Sequence, residues 1–429
     1  MGSENRDRLS SLPDDVLSHI LDLIPTKLAV QTSILAKRWR HSWKYVTKLH
    51  FDDMRSFTSL DSFTKYVDQV LKLYKTTHVK SFRLDCEMLV PSATTLKWID
   101  EAIRLNVSEL EIHPIPLELH RPFVCKTLTR LALCWEDRNI TFPIDLPLLK
   151  TLDIKVYSNP NLNAFKIIRG CPLLESFSLH VFQDLGDEEY YFNIPTLKCL
   201  ELNSFRGIYI KKVVLNVPNL EELFVSGRLW SPVVMENFPT LVSVTLSCSR
   251  GPELDQSWVE LLTGLSGAKS ISMRILGNNP SISPMPRFLN LKHFEFRANY
   301  SYPLDWLLIN QIIESSYELE HLCIKKKPKH PFFDEREDSC WIDPQSVPAC
   351  MLNNLTSIKF VNFKGQQSDI PFMAYMLGNA RVLKTVTIMW DSIPLEEELQ
   401  LKAELLKPPR ASRYCEIHFI ASGSRSTST

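Results

Sequence analysis

A repeated apolar phrase limits the folds that this chain can adopt. A proline with apolar residues two, five and seven positions after it occurs five times between residues 147 and 246. The final apolar position of each copy, here called its last anchor, recurs after 25, 23, 23 and 21 residues, at Ile154, Leu179, Leu202, Val225 and Leu246. Weaker copies have last anchors at Leu84, Ile112, Leu133, Met273, Phe296, Ile324, Phe360 and Ile388. Each copy predicts a short strand that cannot bury its apolar face alone, so consecutive copies should stack.

The spacing of these copies indicates the architecture. Alternating apolar residues at a period of 20 to 29 are typical of leucine-rich repeats. We therefore predict an α/β fold class in which one strand per repeat builds a parallel sheet. Helical spacing over 63–74 and 304–312 predicts that several returning segments are helices. Because a regular asparagine ladder is missing, we expect irregular repeats with mixed helices and loops on the outside.

The residues that alternate with the strand leucines should point away from the core, towards the inner curve of a solenoid. A polar inner curve can bind a protein target, but any solvated sheet face is polar, and for a single residue that simpler interpretation is favoured. The face as a whole is the better candidate. We name it the target face and represent it by Asp153, Ser178, His180, Glu201, Phe224, Arg274, Glu295 and Arg297.

The first forty or so residues form a separate unit by their pattern. Apolar residues recur at helical spacing over 16–24, after a proline and two acids that suit a helix start. Pro25 should stop this helix and Thr26 should cap a second one. Trp39 and Trp43 lie four residues apart on a third. Three helices this short bury little surface, so the unit needs a partner, either the rest of the chain or another protein.

This stretch resembles the F-box of plant proteins. The resemblance is carried by residues 12–17, Ile20-Leu21, 24–27, Ala29-Val30, Thr32-Ser33, Leu35 and 37–39. In that family the F-box docks on a Skp-type adaptor and through it on a cullin-based ubiquitin ligase. The resemblance implies an adaptor contact through Leu12, Pro13, Ile20, Leu21, Pro25, Val30, Ser33, Leu35 and Trp39. The alternative is that these side chains pack on the following domain.

A second resemblance covers the carboxyl-terminal quarter. A set of short matches looks like the FBD module, which follows leucine-rich repeats in many plant F-box proteins. The matches are residues 341–344, 347–352, Leu355, 363–365, 375–377, 379–381 and 383–384. Residues 366–369 replace its usual more acidic run. The resemblance implies no biochemical role. Strands over 357–360, 385–388 and 415–419, with helices over 372–377 and 396–406, are expected to continue and close the array.

The preceding charged insertion has a basic run at 325–330 and an acidic run at 334–338. It is either a nuclear address or a solvated loop, and the loop is favoured. The expected domains are a disordered start (1–7), the F-box (8–50), the repeats (51–340), the FBD module (341–420) and a disordered tail (421–429).

Composition disfavours several classes of protein. Basic and acidic residues number 49 each, so the chain lacks the positive charge of a nucleic-acid binder. Its ten cysteines show no CxxC or metal-ligand spacing, so we expect no metal and no other cofactor. No signal peptide and no run of about 18 apolar residues are present. We therefore expect no membrane insertion and a place in the nucleus, the cytoplasm or both.

Motifs for catalysis are missing as well. The sequence contains no GxGxxG, P-loop, GxSxG or HExxH pattern. Our hypothesis is a non-catalytic substrate-recognition subunit of a Skp–cullin–F-box ubiquitin ligase, with the repeats binding an unknown target protein. Two alternatives remain open: an interaction scaffold without ligase function, and a co-receptor that holds a hormone-like small molecule on the inner face.

Overall fold

The computed structural model divides into two compact units, residues 1–185 and 186–429. Most of the chain is described, with gaps between the described ranges. The described residues are 12–51, 56–86, 90–113, 123–135, 143–157, 164–182, 189–208, 212–229, 233–235, 238–250, 255–276, 284–298, 306–326, 341–365, 368–390 and 394–421. The predicted disordered start, 1–7, lies outside these ranges, and so does the predicted disordered tail, 421–429, except for Ala421, which is instead the last residue of a strand.

The first unit begins with three short helices, α1 (Asp14–Leu21), α2 (Thr26–Gln31) and α3 (Trp39–Ser42). A 3-10 turn over Thr32–Ile34 follows α2, and another over Trp43–Tyr45 follows α3. The core between them is filled by Leu17, Leu21, Ala29, Trp39, Trp43 and Val46, all buried. Both tryptophans therefore pack inward.

The start of α2 differs from the expectation. Pro25, not Thr26, occupies the N-cap position, and it makes no side-chain capping bond. Thr26 is the first helical residue and is buried. Its hydroxyl accepts a hydrogen bond from the backbone N–H of His50 at 2.7 Å. The sequence pattern could not show this use of the threonine, because its partner lies in the following strand.

A parallel sheet of six strands follows in the first unit. Its order is β1-β2-β3-β5-β7-β8, and its members are β1 (Lys48–Phe51), β2 (Ser81–Asp85), β3 (Glu109–His113), β5 (Arg130–Trp135), β7 (Thr151–Val156) and β8 (Ser176–Val181). A second, two-stranded sheet pairs β4 (Phe123–Val124) with β6 (Ile144–Asp145). The helices are α4 (Leu60–Leu73), α5 (Ser92–Arg104) and α6 (Ala164–Arg169).

The second unit has a parallel sheet of nine strands. Its members, in spatial order, are β10 (Cys199–Ile208), β12 (Glu222–Leu229), β14 (Ser243–Arg250), β15 (Ser270–Leu276), β16 (His293–Arg297), β17 (His321–Lys325), β18 (Ser357–Val361), β19 (Thr385–Trp390) and β20 (Glu416–Ala421). A smaller parallel sheet joins β9 (Glu189–Asn193), β11 (Lys212–Asn216) and β13 (Val233–Met235). The helices are α7 (Asp255–Gly264), α8 (Trp306–Glu314), α9 (Ala349–Asn353), α10 (Asp369–Asn379) and α11 (Leu395–Leu406).

Strand register follows the repeated phrase. In the first unit Leu84, Ile112, Leu133, Ile154 and Leu179 stand side by side, each on a neighbouring strand. All the last anchors lie in strands, and all but the half-buried Leu202 are buried. The predicted α/β fold class with a parallel sheet is confirmed. The strands and helices expected in the carboxyl-terminal quarter are also present, because local periodicity determined them.

Candidate interaction surfaces

Three large apolar side chains between residues 28 and 35 are exposed to solvent. Leu28 is 49% exposed, Ile34 is 85% exposed and Leu35 is 72% exposed. We call these three residues the N-terminal apolar patch. So much apolar surface in eight consecutive residues is unfavourable in water and typical of a protein interaction site.

The residues predicted to contact an adaptor fall into three groups by burial. Pro13, Pro25 and Leu35 are exposed, and Leu12, Ile20, Val30 and Ser33 are half-buried. Leu21 and Trp39 are only 1% and 7% exposed, so they pack inside the helical unit and offer little area to a partner. Their adaptor contact stays a prediction, and the packing gives them a supporting role.

Sequence reasoning did not select Leu28 or Ile34. The sequence pattern extends the second helix to Ile34, but that helix ends at Gln31 and gives way to the 3-10 turn. The change of helical period turns Ile34 outward. The sequence does contain one signal for this patch. Leu28 and Leu35 are seven residues apart, which is close to two helical turns and is typical of one apolar side of a helix.

Polar contacts hold the helices that carry this patch. The carboxylate of Asp22 accepts hydrogen bonds from the backbone N–H groups of Thr47 and Lys48, at 2.7 and 3.2 Å. The Thr47 hydroxyl donates to the same carboxylate at 2.8 Å. Lys27, beside Leu28, lies 4.2 Å from the ring centroid of Phe57. The end of α1 is therefore fixed to the start of β1, and Lys27 of α2, the helix that carries Leu28, contacts Phe57.

The target face of the first unit brings its three predicted residues together. Asp153 and Ser178 are direct neighbours on β7 and β8, and both are half-buried. The Nε2 atom of His180 lies 3.5 Å from Oδ1 of Asp153. These residues alternate with the buried Ile154, Phe177 and Leu179, as a strand with one core face requires.

The second unit contains the other five predicted residues in two groups. Glu201 and Phe224 are direct neighbours on β10 and β12, and the aromatic ring of Phe224 is 36% exposed. Arg274, Glu295 and Arg297 lie on β15 and β16. The pattern of alternate burial therefore placed these residues on the correct side of the sheet.

Glu295 is the centre of an ionic cluster on the target face. Lys325 Nζ lies 2.7 Å from one of its oxygens, Ser272 donates to the other at 3.2 Å, and Arg297 donates through Nε. Burial by itself raises the pKa of the Glu295 carboxyl, but the hydrogen bonds from Lys325 and Arg297 outweigh it and lower the pKa. Arg274 instead donates from Nε to the Ser247 hydroxyl at 2.8 Å.

The charged insertion begins inside the fold, which the sequence did not predict. Lys325 belongs to β17, and the side chain of Lys326 is only 4% exposed. Its Nζ lies 2.7 Å from Oδ1 of Asp369, a fully buried carboxylate at the start of α10. Residues 327–340, the rest of the insertion, lie outside the described ranges. The nuclear-address and loop interpretations of that segment stay predictions.

The described ranges hold no feature typical of membrane insertion or metal binding. Within the described ranges, no helix is long and apolar enough to cross a membrane, and no group of three or more potential ligand residues could hold a metal ion. Burial raises the pKa of the Cys86, Cys171 and Cys350 thiols to about 12, so all three are protonated at neutral pH.

Three family models match successive parts of this chain. Residues 9–51 match the F-box domain, and residues 96–250 match the LRR repeats of the FBD-associated F-box protein At5g56370. Residues 343–388 match FBD. The matches follow the order of the helical unit, the repeats and the carboxyl-terminal segment.

Relatives from Arabidopsis thaliana are similar along nearly the whole chain. The F-box/LRR-repeat protein At3g59200 is 28% identical, over 99% of this chain and 90% of its own length. The FBD-associated F-box protein At5g56370 is 27% identical, over 96% of this chain and 100% of its own. The putative F-box/FBD/LRR-repeat protein At1g66290 is 26% identical, over 96% and 93%. The names of all three proteins include an F-box.

Proposed function

Because the chain carries an F-box domain, leucine-rich repeats and an FBD module in that order, we propose that it is the substrate-recognition subunit of a Skp–cullin–F-box ubiquitin ligase. The domains themselves suggest an F-box substrate-recognition protein, and an F-box implies an adaptor-type partner. The ligase and its Skp-type adaptor are the further step that we propose.

The observation that carries the proposal is the N-terminal apolar patch. Leu28, Ile34 and Leu35 are exposed within the residues that match the F-box, whereas Leu17, Leu21 and Ala29 of the same unit are buried. Covering one such side chain completely is worth about 1.5 to 3 kcal/mol, so a partner that covers the patch gains substantial binding energy. The exposed prolines that precede α1 and α2, Pro13 and Pro25, are candidates for the rim of the same contact.

The target face supplies the second contact of the proposal. A target protein held there would be brought near a ubiquitin-conjugating enzyme, and the increased effective concentration would accelerate transfer to a target lysine. The chain needs no catalytic group for this role. We further propose that it acts in the nucleus, the cytoplasm or both, where the buried thiols Cys86, Cys171 and Cys350 would remain reduced.

Co-purification with a Skp-type adaptor tests the proposal. We expect Ile34→Glu combined with Leu35→Glu to reduce adaptor retention at least tenfold, because two charges would enter an apolar interface. Leu12→Ala combined with Pro13→Ala should weaken retention to a smaller extent. Both apolar residues of the first variant are exposed, so its thermal unfolding should match that of the wild type.

A matched control is Leu399→Glu, which places the same charge at an exposed leucine of α11. This control should retain the adaptor. If the wild type binds no adaptor above background, the interaction-scaffold alternative replaces the ligase proposal. If the Ile34→Glu, Leu35→Glu variant binds as well as the wild type, the patch is not the docking surface.

A further inference from the structure

A groove in the second unit lies where the repeats meet the FBD module. One wall is the side of α8 that carries Trp306, Leu307, Asn310 and Glu314, and the opposite wall is the segment 342–349 that leads into α9. Its volume of about 740 Å³ falls in the range of sites that hold a ligand the size of a few amino-acid residues. No step of the proposed ligase function uses this groove.

The segment that forms the second wall is fixed in place by Trp341. Its backbone N–H donates to the Ser368 hydroxyl at 3.0 Å, and its indole N–H donates to the Asp343 carboxylate at 2.7 Å. The indole ring packs edge-on against Trp306 and Phe372, at centroid distances of 5.7 and 5.1 Å. The groove is therefore built from packed aromatic residues and not from an unattached loop.

The rim and the floor of the groove are apolar. Leu307 is 53% exposed and Ile342 is 77% exposed, so each presents a large apolar side chain to solvent. Trp306 between them is buried, with only 1% of its surface accessible. A ligand that places an apolar side chain here would cover surface that is otherwise in water.

The charge of the groove has one sign. Glu314 and Asp343 are both exposed carboxylates, one on each wall, and the described residues that line the groove include no lysine, arginine or histidine. Oδ1 of Asn310 is buried and accepts no hydrogen bond from the described part of the chain. Behind Trp341, burial and then the charges of Asp343 and Glu314 raise the pKa of the Tyr375 hydroxyl to about 12. A cationic ligand would complement the two exposed carboxylates.

We propose that this groove binds a short extended segment of a target protein in which a lysine or arginine lies close to an apolar side chain. The apolar side chain contacts Leu307 and Ile342, and the cation lies between Glu314 and Asp343. The identification of this segment with a ligase target rests on the proposed function, whereas the binding itself does not.

Fluorescence polarisation with defined peptides tests the proposal on the purified full chain. The probes are fluorescein-labelled nine-residue peptides on a glycine and serine background, carrying one arginine and one leucine from one to four positions apart. Matched probes replace the arginine by glutamate or the leucine by serine. We expect at least one arginine–leucine spacing to bind about tenfold more tightly than its glutamate counterpart, with an affinity that falls as salt increases.

Substitutions then locate the site. Glu314→Gln combined with Asp343→Asn should weaken binding of the arginine–leucine peptide about tenfold. Leu307→Ser combined with Ile342→Ser should remove the preference for leucine over serine. The matched control, Glu396→Gln combined with Glu397→Gln, removes two exposed carboxylates of α11 in the same unit and should leave binding unchanged.

Three results would overturn the proposal. The first is equal binding of arginine and glutamate peptides, or binding of neither. The second is unchanged affinity in the Glu314→Gln, Asp343→Asn variant. The third is full displacement of the peptide by n-butylguanidine at an equal concentration, which would assign the groove to a small cation. Adaptor retention, measured on the same samples, separates these results from a failure of the proposed ligase function.

Discussion

At the scale of single residues, the pair Lys326 and Asp369 shows how the repeats are joined to the carboxyl-terminal module. Lys326 directly follows β17, and Asp369 is the first residue of α10. Their side chains are 4% and 0% exposed, with 2.7 Å between Nζ and Oδ1. Removing two charges from water is costly, and their mutual attraction repays this cost only while both are present. The pair therefore makes the position of α10 dependent on one residue of the basic run.

We expect Lys326→Met to destabilise the protein by about 3 to 5 kcal/mol, because it leaves the Asp369 carboxylate buried without its cation. The double variant Lys326→Met, Asp369→Leu should cost much less than the single one, since no buried charge remains. Urea unfolding followed by tryptophan fluorescence measures both. Lys384→Met, at an exposed lysine, serves as the control. Equal destabilisation by the single and double variants would show that shape, not charge, determines the packing there.

At the scale of elements, register between parallel strands decides which side chains meet on the target face. His113, at the end of β3, lies across from Asp85 on β2. Burial lowers its pKa below the ordinary value of 6.5. Glu111 and Asp85 act in the opposite direction, and Lys155 and Arg83 add to the lowering. The folded protein therefore favours the neutral imidazole.

This shift predicts a loss of stability in mild acid. As the pH falls below about 6.5, an unfolded histidine takes up a proton before His113 does in the folded state, so unfolding becomes more favourable. The contribution of the neutral His113 to the free energy of unfolding is fully present above that pH. It is lost as the pH falls through the lower pKa that His113 has in the folded state. Urea unfolding at pH 7.5 and pH 5.5 measures the loss, which should be smaller in His113→Gln. The control His19→Gln changes an exposed histidine. If both variants lose the same stability between pH 7.5 and pH 5.5, His113 is not the cause of the acid effect.

Much of the element-level structure could be predicted because it depends on local periodicity. The last anchors mark the strands, since a period of two with one buried face determines both position and orientation. Ile34 and Thr26 were misplaced because a 3-10 turn and a contact with β1 override the helical pattern. The partners Lys326 and Asp369 are far apart in the chain, so no local pattern joins them.

The candidate sites also differ in whether the sequence alone could predict them. The target-face residues were predictable from alternation, because each lies between buried neighbours of its own strand. The groove beside α8 was not, because its two walls come from separate segments that only packing brings together. Trp341 was noticed as part of the FBD pattern, but its contacts with Trp306 and Phe372 require the folded chain.

At the scale of the whole molecule, the proposed function assigns adaptor binding and target binding to different residues. The N-terminal apolar patch lies in the first unit, and the groove with Glu314 and Asp343 lies in the second. Each of the two proposed contacts can therefore be removed by substituting exposed residues, and the other contact is left in place. A protein that binds its target but cannot bind the adaptor should protect that target from ubiquitination.

This separation predicts a trapping effect in plant cells. Proximity labelling with the Ile34→Glu, Leu35→Glu variant should capture the same target as the wild type, and capture should be several-fold greater because the target is bound without being ubiquitinated and degraded. Proteasome inhibition should raise capture by the wild type to the level of the variant, and the Leu399→Glu control should behave as the wild type. A captured protein can be equally abundant with the wild type and with the variant, whether or not the inhibitor is present. Such a protein would be a binding partner and not a ligase target. If every captured protein behaves in this way, the chain acts as a scaffold, because binding to the target face would then have no consequence for turnover.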